Sequence, residues 1–280
     1  MVSLSELLLR GTEILSGKCD SPRLEAEILL TSLLGKDRIY LTVHKNDIAD
    51  NDVASGFIAR CKRRADGEPS AYITGTKEFM GLEFDITPHV LIPRPETELI
   101  VEYVISRYRN QKVDITDICT GSGAIACAIA YFLPNAYVTA TDISPEALET
   151  AQKNAQKLGV SDRIRFIRKD ALSEFDFEKK SDVVVSNPPY IETDTIETLE
   201  DDVKNYEPRL ALDGGKDGLI FYRKIVDNIK SILNPGGELI FEIGFNQGDA
   251  LKSIMNNKFS NVTVTKDYSG LDRMVSGTLL

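Results

Sequence analysis

The sequence predicts an α/β protein in which a mostly parallel sheet with helices on both faces follows a small N-terminal helical domain. Apolar residues recur at helical spacing over residues 1–72, and helical and strand-like segments alternate over residues 96–280. This alternation is typical of parallel strands joined by helical crossovers. Residues 73–95 carry turn signals, which predict a β-hairpin linker between the two domains.

The helical domain is predicted to contain three helices. Leu4, Leu7, Leu8 and Leu15 form one apolar face of the first. Ser21-Pro22 predicts an N-cap and first position for the second, whose apolar face would contain Leu24, Ile28, Leu29 and Leu33. The third covers residues 52–65, and residues 79–86 then indicate a hairpin with Gly81 near its turn.

The second domain alternates between the two element types. Four helices are predicted: one at 100–108, one that runs through Ala130, one that begins at Ser144-Pro145, and one at 219–233. Strands are predicted at 113–118, 137–141, 164–168, 182–186 and 238–243, with two further candidates near Val262 and Met274. Parallel strands end at the same edge of a sheet, so the loops after them are expected to hold the ligand site.

The composition limits the classes of function. Lys and Arg number 33 against 43 Asp and Glu, which gives a formal net charge of −10, so we expect no direct nucleic-acid partner. The basic run at 60–64 is interpreted as a solvated helix end. Four scattered cysteines without a CxxC pair, and only two histidines, predict no metal site. Glu6 and Arg10 interrupt the apolar N-terminal residues, so we expect neither signal peptide nor membrane span, and a cytoplasmic monomer.

The stretch DICTGSG (117–123) follows the first strand of the second domain and opens a helix. Its glycines let the backbone approach a ligand at the positively polarised helix N-terminus. Asp142 closes the next strand, roughly 20 residues further on, where a carboxylate can accept both hydroxyls of a ribose. Asp117 would lie near the ammonium group of S-adenosylmethionine. The loop also satisfies the dinucleotide-binding fingerprint G-x-G-x-x-A through Gly121, Gly123 and Ala126. The loop alone therefore does not decide between S-adenosylmethionine and a nicotinamide dinucleotide as the cofactor.

Asp170 follows the third strand and could accept a hydrogen bond from an adenine amino group, although Asp is equally common in turns. The fourth strand ends in Asn187-Pro-Pro-Tyr190. Asn-Pro alone is a turn signal, but two prolines fix where the carbonyls point. The Asn187 side-chain oxygen and the Pro188 carbonyl are two acceptors for the two hydrogens of a planar NH2 group. Tyr190 is predicted to pack its ring against that group.

Together these motifs resemble the release-factor glutamine methyltransferases, the HemK/PrmC family. The resemblance covers nearly the whole chain and rests on GEPSAYITG (67–75), LIPRPETE (91–98), DICTGSGAIA (117–126), SNPPYI (186–191) and YEPRLALDGGKDGL (206–219). It implies a Rossmann-like class I methyltransferase domain with a seven-stranded sheet, and a helical domain that recognises the substrate. The implied reaction transfers a methyl group from S-adenosyl-L-methionine to the N5 amide of the Gly-Gly-Gln glutamine in class 1 peptide chain release factors, leaving S-adenosyl-L-homocysteine.

The resemblance also implies site residues. The cofactor set is Asp117, Cys119, Thr120, Gly121, Ser122, Gly123, Asp142, Asp170, Ala171 and Asn187. The glutamine would be held by Asn187, Pro188, Pro189 and Tyr190, of which Asn187, Pro188 and Tyr190 are the catalytic candidates, while Arg94 and Glu96 are candidates for ordering the substrate loop. Cys119 replaces a glycine common in methyltransferases, and Ala171 stands where relatives often carry a bulky residue against the adenine.

Four alternatives remain at this point. A sister enzyme acting on a glutamine of a ribosomal protein would need the same amide-holding motif. A DNA adenine N6-methyltransferase fits Asn-Pro-Pro-Tyr, but the acidic charge balance disfavours it. A nicotinamide-dependent oxidoreductase leaves Asn-Pro-Pro-Tyr unexplained. A non-catalytic adaptor leaves both the glycine-loop motif and Asn-Pro-Pro-Tyr unexplained.

Overall fold

The computed structural model describes residues 2–175 and 177–280, and the chain forms two compact units. The first unit takes in the chain up to Thr76 together with Glu200–Tyr206, and the second takes in Lys77–Leu199 and Glu207–Leu280. The linker that the sequence delimits at 73–95 therefore belongs by its contacts mostly to the second unit. The association of Glu200–Tyr206 with the helical unit is not indicated by any local pattern.

The first unit is helical in its described residues. Its helices are α1 (Leu4–Leu15), α2 (Pro22–Leu34), α3 (Arg38–Val43), α4 (Asn51–Ala65) and α5 (Ser70–Thr74), with a short helix at Asp201–Tyr206. The predicted apolar face of α1 is buried, and α1 packs so closely on α4 that a Cβ on Gly11 would lie 2.6 Å from Phe57 Cε1. The α2 face differs from expectation. Leu24 is 40% exposed, while Ala26 and Leu30 are buried beside Leu29.

The second unit contains the sheet. Its strands are β1 (Thr76–Phe79), β2 (Leu82–Asp85), β3 (Val113–Ile118), β4 (Ala136–Asp142), β5 (Ile164–Arg168), β6 (Ser181–Ser186), β7 (Leu233–Glu242), β8 (Phe259–Lys266) and β9 (Asp272–Leu279). Its helices are α6 (Glu98–Tyr108), α7 (Ala124–Phe132), α8 (Pro145–Lys157), α10 (Ile220–Ile232) and α11 (Gly248–Met255), α9 being Asp201–Tyr206 of the first unit. The sequence did not indicate α11. In the described part of the chain, no helix has both the length and the apolar character needed to span a membrane.

The large sheet has seven strands in the order β5-β4-β3-β6-β7-β9-β8. The pairs from β5 to β7 are parallel, and β9 runs antiparallel to both of its neighbours. The predicted mostly parallel α/β fold is therefore confirmed. The hairpin is confirmed too, because β1 and β2 are joined through Met80 and Gly81, whose φ angles of 55° and 71° are those of a type I′ turn.

The order of the strands reverses at β3, which lies between β4 and β6. Ile118, the last residue of β3, pairs with Thr141 of β4 on one side and with Ser186 of β6 on the other. The loops that follow these three strands therefore meet at one edge of the sheet. In open α/β sheets, this switch point is where ligands bind.

Candidate active site

A cavity of about 370 Å³ lies at this edge, within the second unit. That volume is in the range of small-molecule sites, about 300–1,000 Å³. Many of the predicted site residues line it: Arg94, Cys119, Thr120, Gly121, Ser122, Asp142, Asp170, Ala171, Asn187 and Pro189. Asp117, Gly123, Pro188, Tyr190 and Glu96 are not in its wall.

The loop after β3 has the backbone that its glycines predict. Gly121 and Gly123 have φ angles of 55° and 77°. A Cβ on Gly123 would lie 2.9 Å from Ala151 Cβ, so this position serves close packing, whereas no atom lies within 4 Å of a Cβ on Gly121. Cys119 adopts φ 63°, a conformation that a glycine would take without steric cost. The departure from glycine at Cys119 therefore costs about 1–2 kcal/mol of backbone strain.

Three carboxylates sit beneath or beside this loop. Asp142 accepts hydrogen bonds from the Gly121 and Ser144 backbone N–H groups at 2.9 and 3.0 Å, one on each oxygen, which leaves lone pairs free on both. Burial raises the pKa of Asp142. Asp170 Oδ1 accepts the Leu172 N–H at 2.8 Å.

Asp117 is fully buried below the loop. Its Oδ2 accepts the Thr120 hydroxyl at 2.6 Å, and its Oδ1 accepts no hydrogen bond of standard length from the described residues, although the Ala126 N–H is near enough to lower its pKa. Burial raises the pKa of Asp117 to about 7, and the nearby Asp142 carboxylate adds to the rise while the Thr120 hydroxyl opposes it. Burying a carboxylate oxygen without a hydrogen bond of standard length is costly, which is the physical reason for the raised pKa.

Asn187 follows directly on the end of β6 and lines the cavity. Its side-chain Nδ2 donates to Thr97 Oγ1 at 3.4 Å. Its Oδ1 accepts no hydrogen bond from the described residues and is not among their enclosed unpartnered atoms, so it is open to the cavity. Within the same described part of the chain, the Pro188 carbonyl also accepts none. Both predicted acceptors are therefore without a hydrogen-bond partner among residues 2–175 and 177–280.

The backbone after Asn187 packs against a glycine-rich segment, residues 212–219, for which the sequence predicted no role. Gln247 Nε2 donates to the Tyr190 carbonyl at 3.0 Å. Gly214 and Gly218 lie against this residue: a Cβ on Gly214 would be 2.7 Å from Tyr190 Cα, and one on Gly218 would overlap the Tyr190 carbonyl oxygen. The signal in the sequence was the repeated glycine of LDGGKDGL.

Tyr190 itself packs on the apolar core beside β7. Its hydroxyl donates to Glu242 Oε1 at 3.3 Å, and burial raises its pKa. The residue is not in the cavity wall, so the structure does not bring it beside Asn187 there. Stacking of its ring on a substrate group stays a prediction.

Glu242, which sequence reasoning missed, is the last residue of β7 and is buried. Burial raises its pKa to about 7. The Thr97 hydroxyl, the Arg273 guanidinium and the Tyr190 hydroxyl oppose that rise in pKa, and Glu96 adds to it. Glu242 Oε2 accepts no hydrogen bond of standard length from the described residues.

Arg94 is held by a second missed residue. Its guanidinium pairs with Glu207, whose side chain is 1% exposed and whose Oε2 also accepts the Ile92 N–H at 3.2 Å. Glu207 thus fixes the segment before α6 at the cavity wall. Glu96 lies in the 3-10 helix Pro95–Thr97 and is exposed.

Comparison with known proteins agrees with this geometry. Residues 6–75 match the family described as the PrmC N-terminal domain, and residues 109–273 match a methyltransferase domain. The release factor glutamine methyltransferase of Clostridium botulinum is 40% identical over 97% of this chain and 98% of its own length. That of Moorella thermoacetica is 44% identical over 92% of each chain. The chain belongs to the release factor glutamine methyltransferase family.

Membership of the release factor glutamine methyltransferases confirms the resemblance drawn from the motifs. It also confirms an enzyme that uses S-adenosyl-L-methionine as methyl donor, in place of a nicotinamide-dependent oxidoreductase or a non-catalytic adaptor. Among solved structures, a methyltransferase from Pyrococcus furiosus shares the fold, with a TM-score of 0.54 and 22% identity over 79% of this chain and 98% of that chain.

Proposed function

We propose that this protein methylates the side-chain N5 amide of the glutamine in the Gly-Gly-Gln motif of class 1 peptide chain release factors, with S-adenosyl-L-methionine as the donor. The observation that carries the proposal is the pair of unpartnered acceptors at Asn187 Oδ1 and the Pro188 carbonyl, beside the wall of the glycine-loop cavity. The printed names of near-full-length relatives support release factors as the substrate.

The cavity residues fit the cofactor by the chemistry of their free groups. Asp142 retains lone pairs on both oxygens for the two ribose hydroxyls, and Gly121 lets the ligand approach the backbone without a side chain between them. Asp117, which lies behind the cavity wall and accepts the hydroxyl of the wall residue Thr120, is assigned to the ammonium end of the methionine moiety on the strength of the motif. Asp170 keeps Oδ2 for an amino hydrogen of the adenine. When bound, the cofactor supplies an electrophilic methyl group on a sulfonium.

The role of Asn187 and Pro188 follows from the electronic structure of an amide. An amide nitrogen is a weak nucleophile because its lone pair is conjugated with the carbonyl. Two acceptors on the two N–H groups orient the nitrogen and stabilise the positive charge that develops on it during attack. The nitrogen becomes acidic only as it is methylated and then loses one proton to solvent, so the step needs no strong base; the neutral thioether S-adenosylhomocysteine is the leaving group. The chain accordingly offers two acceptors here, one on Asn187 in the cavity wall and one on the next residue, Pro188, and no catalytic histidine is required.

We also assign recognition of the release factor to the helical unit, because it matches the PrmC N-terminal domain and lies outside the residues that form the cavity. The acidic balance of the chain supports a protein substrate over DNA or RNA.

The test is mass spectrometry of a class 1 release factor after incubation with the enzyme and methyl-labelled cofactor. One methyl group is expected on the Gly-Gly-Gln glutamine, and none on a release factor in which that glutamine is replaced by alanine. Ribosomal proteins and duplex DNA are offered in parallel. Label on either of these, without label on the release factor, would overturn the proposal.

The variant Asn187→Ala tests the clamp, by which we mean the two acceptors Asn187 Oδ1 and the Pro188 carbonyl. It is expected to bind S-adenosylhomocysteine within about threefold of the unmodified enzyme, and to lose about 100-fold or more of kcat, as removal of one transition-state hydrogen bond does elsewhere. Near-normal turnover would refute the role of Asn187.

A further inference from the structure

Thr97 stands where a helix-capping residue is expected, but it does not cap. It is the N-cap residue of α6, a position at which the threonine hydroxyl ordinarily accepts a backbone N–H of the first turn. Here its backbone is already helical, with φ −67° and ψ −22°, because the 3-10 helix Pro95–Thr97 runs into α6, and its side chain makes no cap hydrogen bond. Thr97 as a whole is 4% exposed, so its hydroxyl is directed to groups within the protein.

The first of those groups is Asn187, whose Nδ2 donates to Thr97 Oγ1 at 3.4 Å. A carboxamide has one accepting end and one donating end. Only the accepting end is useful toward a substrate NH2 group, because two NH2 groups facing each other offer four donors and no acceptor. A rotation of 180° about the Asn187 side-chain torsion would therefore disable the clamp while leaving its shape unchanged.

A second polar group, Glu242, lies near Thr97. A hydroxyl can donate or accept, so it fixes the Asn187 amide only if its own proton is directed elsewhere. Glu242 is the neighbouring carboxyl toward which that proton can turn, although no hydrogen bond of standard length joins Glu242 Oε2 to the described residues. The sheet register brings the groups together, since Ser186 pairs with Phe241, and Asn187 and Glu242 are the next residues on the two strands.

We infer that Thr97 is a positioning residue for methyl transfer: it accepts the Asn187 amide hydrogen and so keeps Asn187 Oδ1 facing the substrate nitrogen. The inference rests on the proposed function, in which Asn187 Oδ1 is the acceptor. Thr97 itself lines the cavity at the N-cap of α6, so the inference gives a role in methyl transfer to a further residue of the cavity wall.

The experiment compares Thr97→Val, which removes the hydroxyl and keeps the shape, with Thr97→Ser, which keeps the hydroxyl. Thr150→Val is the matched control, because Thr150 is also 4% exposed, hydrogen-bonds through its hydroxyl, and does not line the cavity. Each variant is measured for kcat and KM on a release factor, for the Kd of S-adenosylhomocysteine, and for Tm.

Thr97→Val is expected to lower kcat about tenfold or more with the Kd within about threefold, and Thr97→Ser to recover kcat to within about threefold of the unmodified enzyme. A kcat for Thr97→Val equal to that of Thr150→Val, or an equal loss in Thr97→Ser, would overturn the inference. If Thr97→Val does not fold, Thr97→Ala is compared with Thr97→Ser, and the same ratio of kcat is expected.

A second readout separates orientation from stability. In an Asn187→Asp background the side chain presents oxygen at both ends, so no orientation needs to be fixed. Adding Thr97→Val there is expected to change kcat less than threefold, whereas the same change in the Asn187 background lowers it about tenfold. Equal losses in both backgrounds would refute the inference. Failure of the unmodified enzyme to label any release factor would refute the proposed function instead.

Discussion

Gly218→Ala tests how far the Asn-Pro-Pro-Tyr backbone depends on a glycine 28 positions downstream of Tyr190. Gly218 has φ +68°, and an added Cβ would lie 2.8 Å from Gln247 Nε2 and would overlap the Tyr190 carbonyl oxygen. That carbonyl must retreat by about 1 Å to regain an ordinary van der Waals distance. Since the carbonyl belongs to the motif that holds the substrate, the displacement reaches the clamp.

The magnitude has two parts. The left-handed φ costs about 1–2 kcal/mol for a residue with a Cβ. Loss of the Gln247–Tyr190 hydrogen bond, seen at 3.0 Å, adds about 1 kcal/mol. The free energy of unfolding should therefore fall by about 2–3 kcal/mol. A displacement of about 1 Å at the reacting groups lowers kcat by about 100-fold.

Gly159→Ala is the matched control, because Gly159 has φ +69° and no atom lies within 4 Å of its added Cβ. It should show the loss of about 1–2 kcal/mol from the backbone conformation alone, with kcat unchanged. Chemical denaturation measures stability, and transfer of labelled methyl to a release factor measures kcat. If Gly218→Ala retains kcat within threefold of Gly159→Ala, the close packing of Gly218 on Tyr190 does not set the geometry of the clamp.

Two further predictions concern the buried carboxylates. Asp142→Asn should weaken S-adenosylhomocysteine binding by about 10–100-fold in a calorimetric titration, because a hydrogen bond to a charged group contributes about 1.5–3 kcal/mol; an unchanged Kd would exclude Asp142 from the ribose site. Glu242 has a pKa of about 7 in the folded state against 4.5 ordinarily, so its contribution to stability is full below pH 4.5 and is lost as the pH rises through about 7. Chemical denaturation of Glu242→Gln and of the unmodified protein at pH 5 and pH 8 measures this change. The free energy of unfolding of the variant, relative to that of the unmodified protein, should be higher at pH 8 than at pH 5 by up to about 3 kcal/mol. An equal difference at both pH values would contradict a Glu242 that is buried and keeps its proton.

The parts of the fold that could be predicted from the sequence are those determined by residues that are close together in the chain. The strands β3 and β5 have the predicted bounds because their apolar runs stop at turn residues. Ser144 caps α8 through its hydroxyl, as Ser144-Pro145 indicates. The Asn187-Pro-Pro segment ends β6 because proline cannot donate to the ladder. These features depend on a few neighbouring residues, so a linear pattern carries them.

The site shows where that information ends. Its cofactor loop and its Asn187 acceptor follow from motifs, but what holds them does not: Thr97 meets Asn187 across 90 residues, and Glu207 meets Arg94 across 113. Which loops meet is decided by the strand order, with β6 beside β3 and β7 beside β6. The sequence by itself therefore determined the chemistry of the clamp, two acceptors for one NH2 group. Only the tertiary structure decided which way the Asn187 amide faces, because that depends on the Thr97 hydroxyl, which another element of the fold supplies.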